Sequence, residues 1–357
     1  METEEQIEKF VNGIINKTQA SRIAKLANIP FGFLFLDKPP EITRPTLPDF
    51  RNTQQAVPLS TDFYDTLEDI NNKIEWYRDF LKKEDIFNKL DFVGRVDYKI
   101  SEPEYVAQNI AKSIGFNIET DLDSFKEESV YFKNLVTRFE NLGILIFQNS
   151  IVKNNTKKPL SVNEFRGFAI TDDYAPAVFI NTKDSKSAQI FTLLHEVAHL
   201  WIGKEGVSNW PDNDNAMEAF CNDVAAHFLM PNDMFKQKWQ KERERFPNSD
   251  IYDTINVISR KFKVSRLATT IKAVKLNLIA SSYINSVKNQ HNGQQSKKAN
   301  TGGDPYRSYP LRNSTRLTKI ILTQTINQHI LISEAAKLLN LKSPSVMNLY
   351  SKMKDNI

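Results

Sequence analysis

Cysteine is almost absent from this chain: Cys221 is the single thiol in 357 residues. One thiol excludes a disulfide framework and fits a reducing compartment. No apolar run approaches the roughly 18 residues of a membrane-spanning helix. The opening Met1-Glu-Thr-Glu-Glu is acidic and lacks the apolar stretch of a signal peptide. A secreted protein is therefore disfavoured, and the cytoplasm is the expected location. Charge of one sign is scarce as well. The 47 Lys and Arg exceed the 43 Asp and Glu by only four, too few by themselves to imply a nucleic-acid partner. With 25% charged and 40% hydrophobic residues the composition is that of an ordinary soluble protein, long enough for a sizeable core and two or three units. Histidine is rare too, with five residues, yet His195, His199 and His227 fall within 33 positions. That concentration points to a site.

The segment Thr192-Leu-Leu-His-Glu-Val-Ala-His-Leu-Trp201 holds a His-Glu-x-x-His pattern with apolar residues around every polar one. On an α-helix, His195 and His199 leave one face a turn apart, a spacing that lets two ring nitrogens reach one Zn²⁺ at about 2.0–2.1 Å. Glu196 points about 100° around the helix, where it addresses a water on the metal rather than the metal itself. A third ligand is available downstream. Met217 to Leu229 reads as a second helix, stopped by Pro231 and an Asn232 cap. Its Glu218 is separated from His199 by 18 intervening residues, the gap of glutamate-ligand zincins. Asn222, one turn later on the same face, is placed to accept the free N–H of a ligand histidine and fix its tautomer. His227 lies about half a turn around and faces away, and Cys221 reads as a small buried hydrophobe. The expected cofactor is one Zn²⁺ per chain, held by His195, His199 and Glu218.

Around the site the order of elements is that of a mostly helical α+β protein. Helices are expected over 3–27, 61–82, from the capping box Ser101-Glu-Pro-Glu104 to about Ile114, and from Ser129 to Leu142 before Gly143. Three strand-like runs follow: Ile144-Leu-Ile-Phe147, Gly167-Phe-Ala-Ile170 and Ala177-Val-Phe-Ile-Asn181. They precede an active-site helix starting near Asp184 or Ser185. In zincins a small sheet stands there, and its edge strand can hold an extended peptide. Tyr174 and Arg166, beside these strands, are candidates for an oxyanion or substrate contact. Residues 232–275 carry eleven Lys and Arg against five Asp and Glu. Within them, Thr254 to Thr270 has a helix–turn–helix cadence with Ser265 as the second cap. A packing or protein-docking role is favoured for this pair over DNA contact. Asn289 to Asp304 reads as a linker or mobile loop, and Ile332 to Leu341 as the clearest helix of the last fifty residues.

With these residues in view, the chain resembles the ImmA/IrrE family of zinc metallo-endopeptidases. The resemblance runs from about Arg166 to Pro231, through Ala175-Pro-Ala-Val-Phe-Ile-Asn181, Phe191-Thr-Leu-Leu-His-Glu-Val-Ala-His199, Glu218-Ala-Phe-Cys-Asn-Asp-Val-Ala-Ala226 and Leu229-Met-Pro231. The flanks look like a longer subgroup: Pro30-Phe-Gly-Phe-Leu-Phe-Leu36 and Asp49-Phe-Arg51 at one end, Gly302-Gly-Asp-Pro-Tyr306 and Glu334-Ala-Ala-Lys-Leu-Leu339 at the other. Residues 17–36 look like the tail of an XRE-type domain without its reading helices. The expected division is a truncated helix-turn-helix-like segment at 1–52, a zincin-like peptidase domain at 53–240, a helix-turn-helix-like unit at 241–288, a linker at 289–306 and a small helical unit at 307–357. The resemblance implies His195, His199 and Glu218 as ligands and Glu196 as general base. It also implies a cytoplasmic protease that cuts a helix-turn-helix repressor or antitoxin encoded nearby, releasing genes of a mobile element, a toxin–antitoxin pair or a stress response. A different reading remains open: a DNA- or protein-binding regulator with a non-catalytic zinc site. An aminopeptidase would share the ligand spacing, but its Gly-x-Met-Glu-Asn signature is missing from the sequence.

Overall fold

A computed structural model describes residues 12, 15–26, 31–38, 59–204, 206–208, 216–291 and 304–354. The expectations for 3–11, for Asp49-Phe-Arg51 and for most of the 289–306 segment lie outside them. Met1–Thr46 and Leu47–Ile357 form separate compact units. In the first, helix α1 (Lys17–Leu26) is followed by a 3-10 turn, Phe31–Phe35. Ala20 and Ala24, one turn apart, are its buried positions.

The second unit is built on a four-stranded sheet, and the strands' apolar runs explain its layering. Strands β1 (Leu145–Asn149), β2 (Gly167–Ile170), β3 (Ala177–Asn181) and β4 (Gly206–Ser208) are ordered β1-β3-β2-β4. β1 runs parallel to β3, while β2 runs antiparallel to both β3 and β4. Every residue of β1, β2 and β3 is buried, as expected for strands covered on both faces. Alternation splits their side chains between two cores. Leu145, Phe147, Phe168, Ile170, Ala177 and Phe179 enter one; Ile146, Ala169, Val178 and Ile180 enter the other.

The first core is closed by α2 (Thr61–Lys83) and by helices from the end of the chain. Helix α2 buries Phe63, Leu67, Ile70, Ile74, Tyr77 and Leu81, an apolar stripe of helical period. Its Ser60 cap is anchored by Glu164, which accepts from the Ser60 N–H at 2.6 Å and hydroxyl at 3.1 Å. The second core takes α3 (Pro103–Ser113), the short α4 (Ile118–Asp121), α5 (Glu128–Leu142) and the long α6 (Lys186–Ile202). Helices α7 (Ala216–Leu229), α8 (Asn232–Arg245), α9 (Ile251–Phe262), α10 (Arg266–Lys275) and α11 (Ser282–His291) extend it. Helix α5 stops at Gly143, whose φ of 109° suits glycine alone. Ser265 caps α10 by accepting from the Ala268 N–H at 3.1 Å, and Lys263 turns the chain between α9 and α10 at φ 57°.

The last helices, α12 (Pro305–Arg312), α13 (Thr315–Ile326), α14 (Ile332–Leu338) and α15 (Ser343–Met353), share the first core with the sheet through Leu317, Ile321, Leu322, Leu339, Val346 and Leu349. A buried carboxylate ties them in. Glu140 Oε1 accepts from the Ser314 hydroxyl at 2.6 Å and from the N–H groups of Thr315 at 2.8 Å and Arg316 at 3.3 Å. The charge thus faces the positive N-terminus of α13. Arg316 returns bonds to Glu140 O and the Tyr77 hydroxyl. Glu140→Ala would strand these donors, and we expect a loss of about 2–4 kcal/mol in denaturant unfolding of the full chain.

Several boundaries differ from the sequence expectation, among them β1, which runs Leu145–Asn149 where Ile144–Phe147 was expected. The Ser101 capping box does not form: Ser101 N–H is spent on Asp97 O in the preceding turn, and Glu102 is a cap without a side-chain bond. Pro231, not Asn232, is the cap of α8, and the Asn232 amide instead donates to Glu104. Helix α14 ends at Leu338 because Asn340 turns left-handed at φ 55° and its amide donates to Asp69.

Buried charge also gives the fold a pH dependence. Burial lowers the Lys272 pKa to about 8 from 10.5, with Glu104 and Asp223 opposing the shift. A folded value below the unfolded one means that the charged form destabilises the fold. That cost is full below pH 8 and vanishes as pH rises towards 10.5. Lys272→Met is expected to stabilise the protein at pH 7 by at most about 3 kcal/mol. Parallel unfolding curves should converge at alkaline pH.

Candidate metal centre

Helix α6 is fastened at both ends before it presents any chemistry. At its start Ser185 caps the Ala188 N–H at 3.3 Å, and Gln189 donates to Thr182 O and Asp184 O. At its end the segment before α3 crosses the open carbonyls: Gly94 N–H donates to Leu200 O at 3.0 Å and Val96 N–H to Trp201 O at 2.9 Å. The crossing needs two glycines. Gly203 takes φ 70°, and a Cβ on it would stand 2.7 Å from Gly94 Cα. The Trp201 ring stacks on Phe92 at 4.5 Å, and its N–H donates to Asn109. Such a helix holds its side chains in one geometry, as a preorganised site requires.

On that helix His195 and His199 are 1% and 0% exposed, and Glu218 on α7 is 2% exposed. Their ligand-type atoms close a triangle. His195 Nε2 lies 3.1 Å from Glu218 Oε2, His199 Nε2 lies 3.1 Å from Glu218 Oε1, and the two ring nitrogens are 3.2 Å apart. Asn222 Oδ1 stands 2.9 Å from His195 Nδ1. With the ring proton on Nδ1, His195 Nε2 offers a lone pair to the centre of the triangle. Burial disfavours every charge here, yet the two imidazoles outweigh it and hold the Glu218 carboxyl at about 2. Burial opposes a charged His195 too, but Glu218, Glu196 and Asn222 together raise its pKa; at His199 burial prevails and the pKa falls. The donor set fits a cation. Two imidazole nitrogens and a carboxylate suit zinc, and four-coordinate bonds of 2.0–2.1 Å give edges of roughly 3.3 Å. The three side chains form a group able to hold a metal ion.

Glu196 sits between them in sequence, fully buried, its charge near enough to raise the His195 pKa. The remaining sequence candidates have partners of their own. Arg166 pairs with Asp184 at 2.6 Å, tying β2 to the start of α6. Tyr174 stacks on Phe87 at 3.7 Å. His227 points to Glu104, 3.8 Å away. The Cys221 thiol is buried, and burial, then Glu218 and Glu196, push its pKa up. Five of the eleven basic residues in the 232–275 window bond within the fold. Lys238 pairs with Asp123, Lys261 with Glu242 and Lys275 with Asp223; Lys263 donates to Leu122 O and Arg243 to Ser249 O. Sequence reasoning missed Gly167, whose backbone lies against Glu196. The signal was a glycine inside a strand pattern, a mark of close approach.

A small covered sheet, a helix bearing two histidines and a glutamate, and a second helix closing the triangle define a metallopeptidase-type architecture of the zincin kind. Residues 139–273 match the IrrE N-terminal-like domain of peptidase family M78, which supports the resemblance to the ImmA/IrrE family over that stretch. No curated protein gives a significant match. Among the described residues no helix is long and apolar enough to cross a membrane.

Proposed function

We propose that the chain is a zinc-dependent endopeptidase acting in the cytoplasm, with His195, His199 and Glu218 as the metal ligands and Glu196 as general base. The buried triangle of three donors carries this reading. Zinc held there would supply Lewis acidity and an acidified water at neutral pH. Glu196 takes the proton from the attacking water on a carboxylate oxygen and passes it to the departing amine. Asn222 holds His195 in the tautomer that leaves Nε2 unprotonated. Structural zinc sites usually close with four protein ligands. Among the described residues the group has three, which supports an open position for catalysis over a regulator with a structural metal.

The target we propose is a helix-turn-helix repressor or antitoxin encoded beside the protease, whose cleavage releases the genes it controls. The family resemblance supports this. The test is incubation of the zinc-loaded chain with that repressor. Discrete fragments by mass spectrometry, abolished by a chelator, are expected. An intact repressor beside rapid turnover of single amino-acid amides would point to an exopeptidase instead.

A further inference from the structure

The sheet face under α6 grows shallower toward β2. β1 and β3 offer Ile146, Val178 and Ile180 there, whereas β2 offers Ala169 and, two residues earlier on the same face, Gly167. A Cβ at Gly167 would meet Thr192 Cγ2 at 2.6 Å, Phe179 O at 2.8 Å and Glu196 Oε1 at 3.1 Å. Thr192 and Glu196 are four residues apart on α6, so both lie over this one strand position. The backbone of Gly167 has no positive φ, so glycine stands here for space and not for conformation.

The three neighbours differ in what they can yield. Phe179 O is part of the β3 ladder, paired to β2 across the whole strand, and a ladder carbonyl does not retreat. Thr192 is stiff at χ1 and packed on a helix held at both ends. The flexible group is the end of Glu196. A side chain at position 167 would therefore displace the Glu196 carboxylate, while the three donors, on α6 and α7, keep their own contacts.

We propose that Gly167 is a positioning residue for Glu196: the bare backbone at the start of β2 is a notch that seats the carboxylate where it exchanges protons. This rests on the proposed role of Glu196 in a metal-loaded site.

The test uses the zinc-loaded full chain and acetohydroxamate, a metal-chelating probe that also shares a proton with an adjacent carboxylate. Affinity is measured by calorimetry for the wild type, Glu196→Gln, Thr192→Ala, Gly167→Ala and the double variant Gly167→Ala/Thr192→Ala. The double variant removes the 2.6 Å contact with Thr192 and leaves those with Phe179 O and Glu196, so zinc content and probe affinity, read beside the melting temperature, separate packing from the effect on Glu196. It is expected to keep one zinc per chain and to melt below Thr192→Ala, because the 2.8 Å approach to Phe179 O remains, yet to bind acetohydroxamate about tenfold or more weakly, as Glu196→Gln does, the value of one charge-assisted hydrogen bond. A double variant that binds the probe like Thr192→Ala overturns the inference. So does one that fails to fold or to take up zinc, because the notch would then serve packing alone. A zinc-loaded wild type that ignores the probe overturns it as well. If the wild type takes up no zinc, the metal reading itself falls, an outcome distinct from the others.

Discussion

Glu196→Gln is expected to retain one zinc per chain and to lose peptide hydrolysis by about 10³-fold, the usual worth of a positioned acid–base group. Gln has the shape of Glu, so a fully buried side chain is replaced without a cavity. The three donors are untouched, and Asn222 still orients His195. On the proposed mechanism, what disappears is the carboxylate that accepts a proton from the attacking water and returns it. Metal content by mass spectrometry and fragment yield from the repressor, measured on the same preparation, check both halves. Full cleavage by a zinc-loaded Glu196→Gln chain would remove Glu196 from the mechanism and leave the metal assignment standing.

The second large effect is expected from Glu218→Ala. The substitution deletes one of three donors and takes the 3.1 Å partner from both histidines at once. Zinc binding by a complete site is worth about 10–16 kcal/mol, so one ligand is worth about 3 kcal/mol or more, roughly 10²-fold or more in affinity. Zinc binds the folded chain, so it should raise the melting temperature of the wild type. At the same zinc concentration Glu218→Ala should show little of that rise. A variant with unchanged zinc affinity would show that the third ligand comes from another group.

Much of this centre was legible from spacing. The four-residue step from His195 to His199 dictates a shared helix face, and the structure puts their nitrogens 3.2 Å apart. Asn222 was expected near one of the two histidines because it lies one turn from Glu218, and its Oδ1 stands 2.9 Å from His195 Nδ1. Two strands, Gly167–Ile170 and Ala177–Asn181, have the expected limits, since unbroken apolar runs between turns leave little choice. Arg166 and Tyr174 were candidates only by proximity in sequence. Their charge and ring went to Asp184 and Phe87, partners that no local pattern specifies.

Sequence alone therefore determined the local chemistry: which residues share a helix face, where the strand-like runs lie, and where Ser185, Gly143 and Ser265 start or stop helices. These follow from backbone period and capping, which act over a few residues. Tertiary structure decided the rest. It added β4 to the edge of β2, folded the C-terminal helices into the core of the sheet through Glu140, and set the bare backbone of Gly167 against Glu196. Those contacts join residues from about 30 to more than 170 positions apart. They depend on shape and charge meeting across space, which periodicity along a chain does not encode.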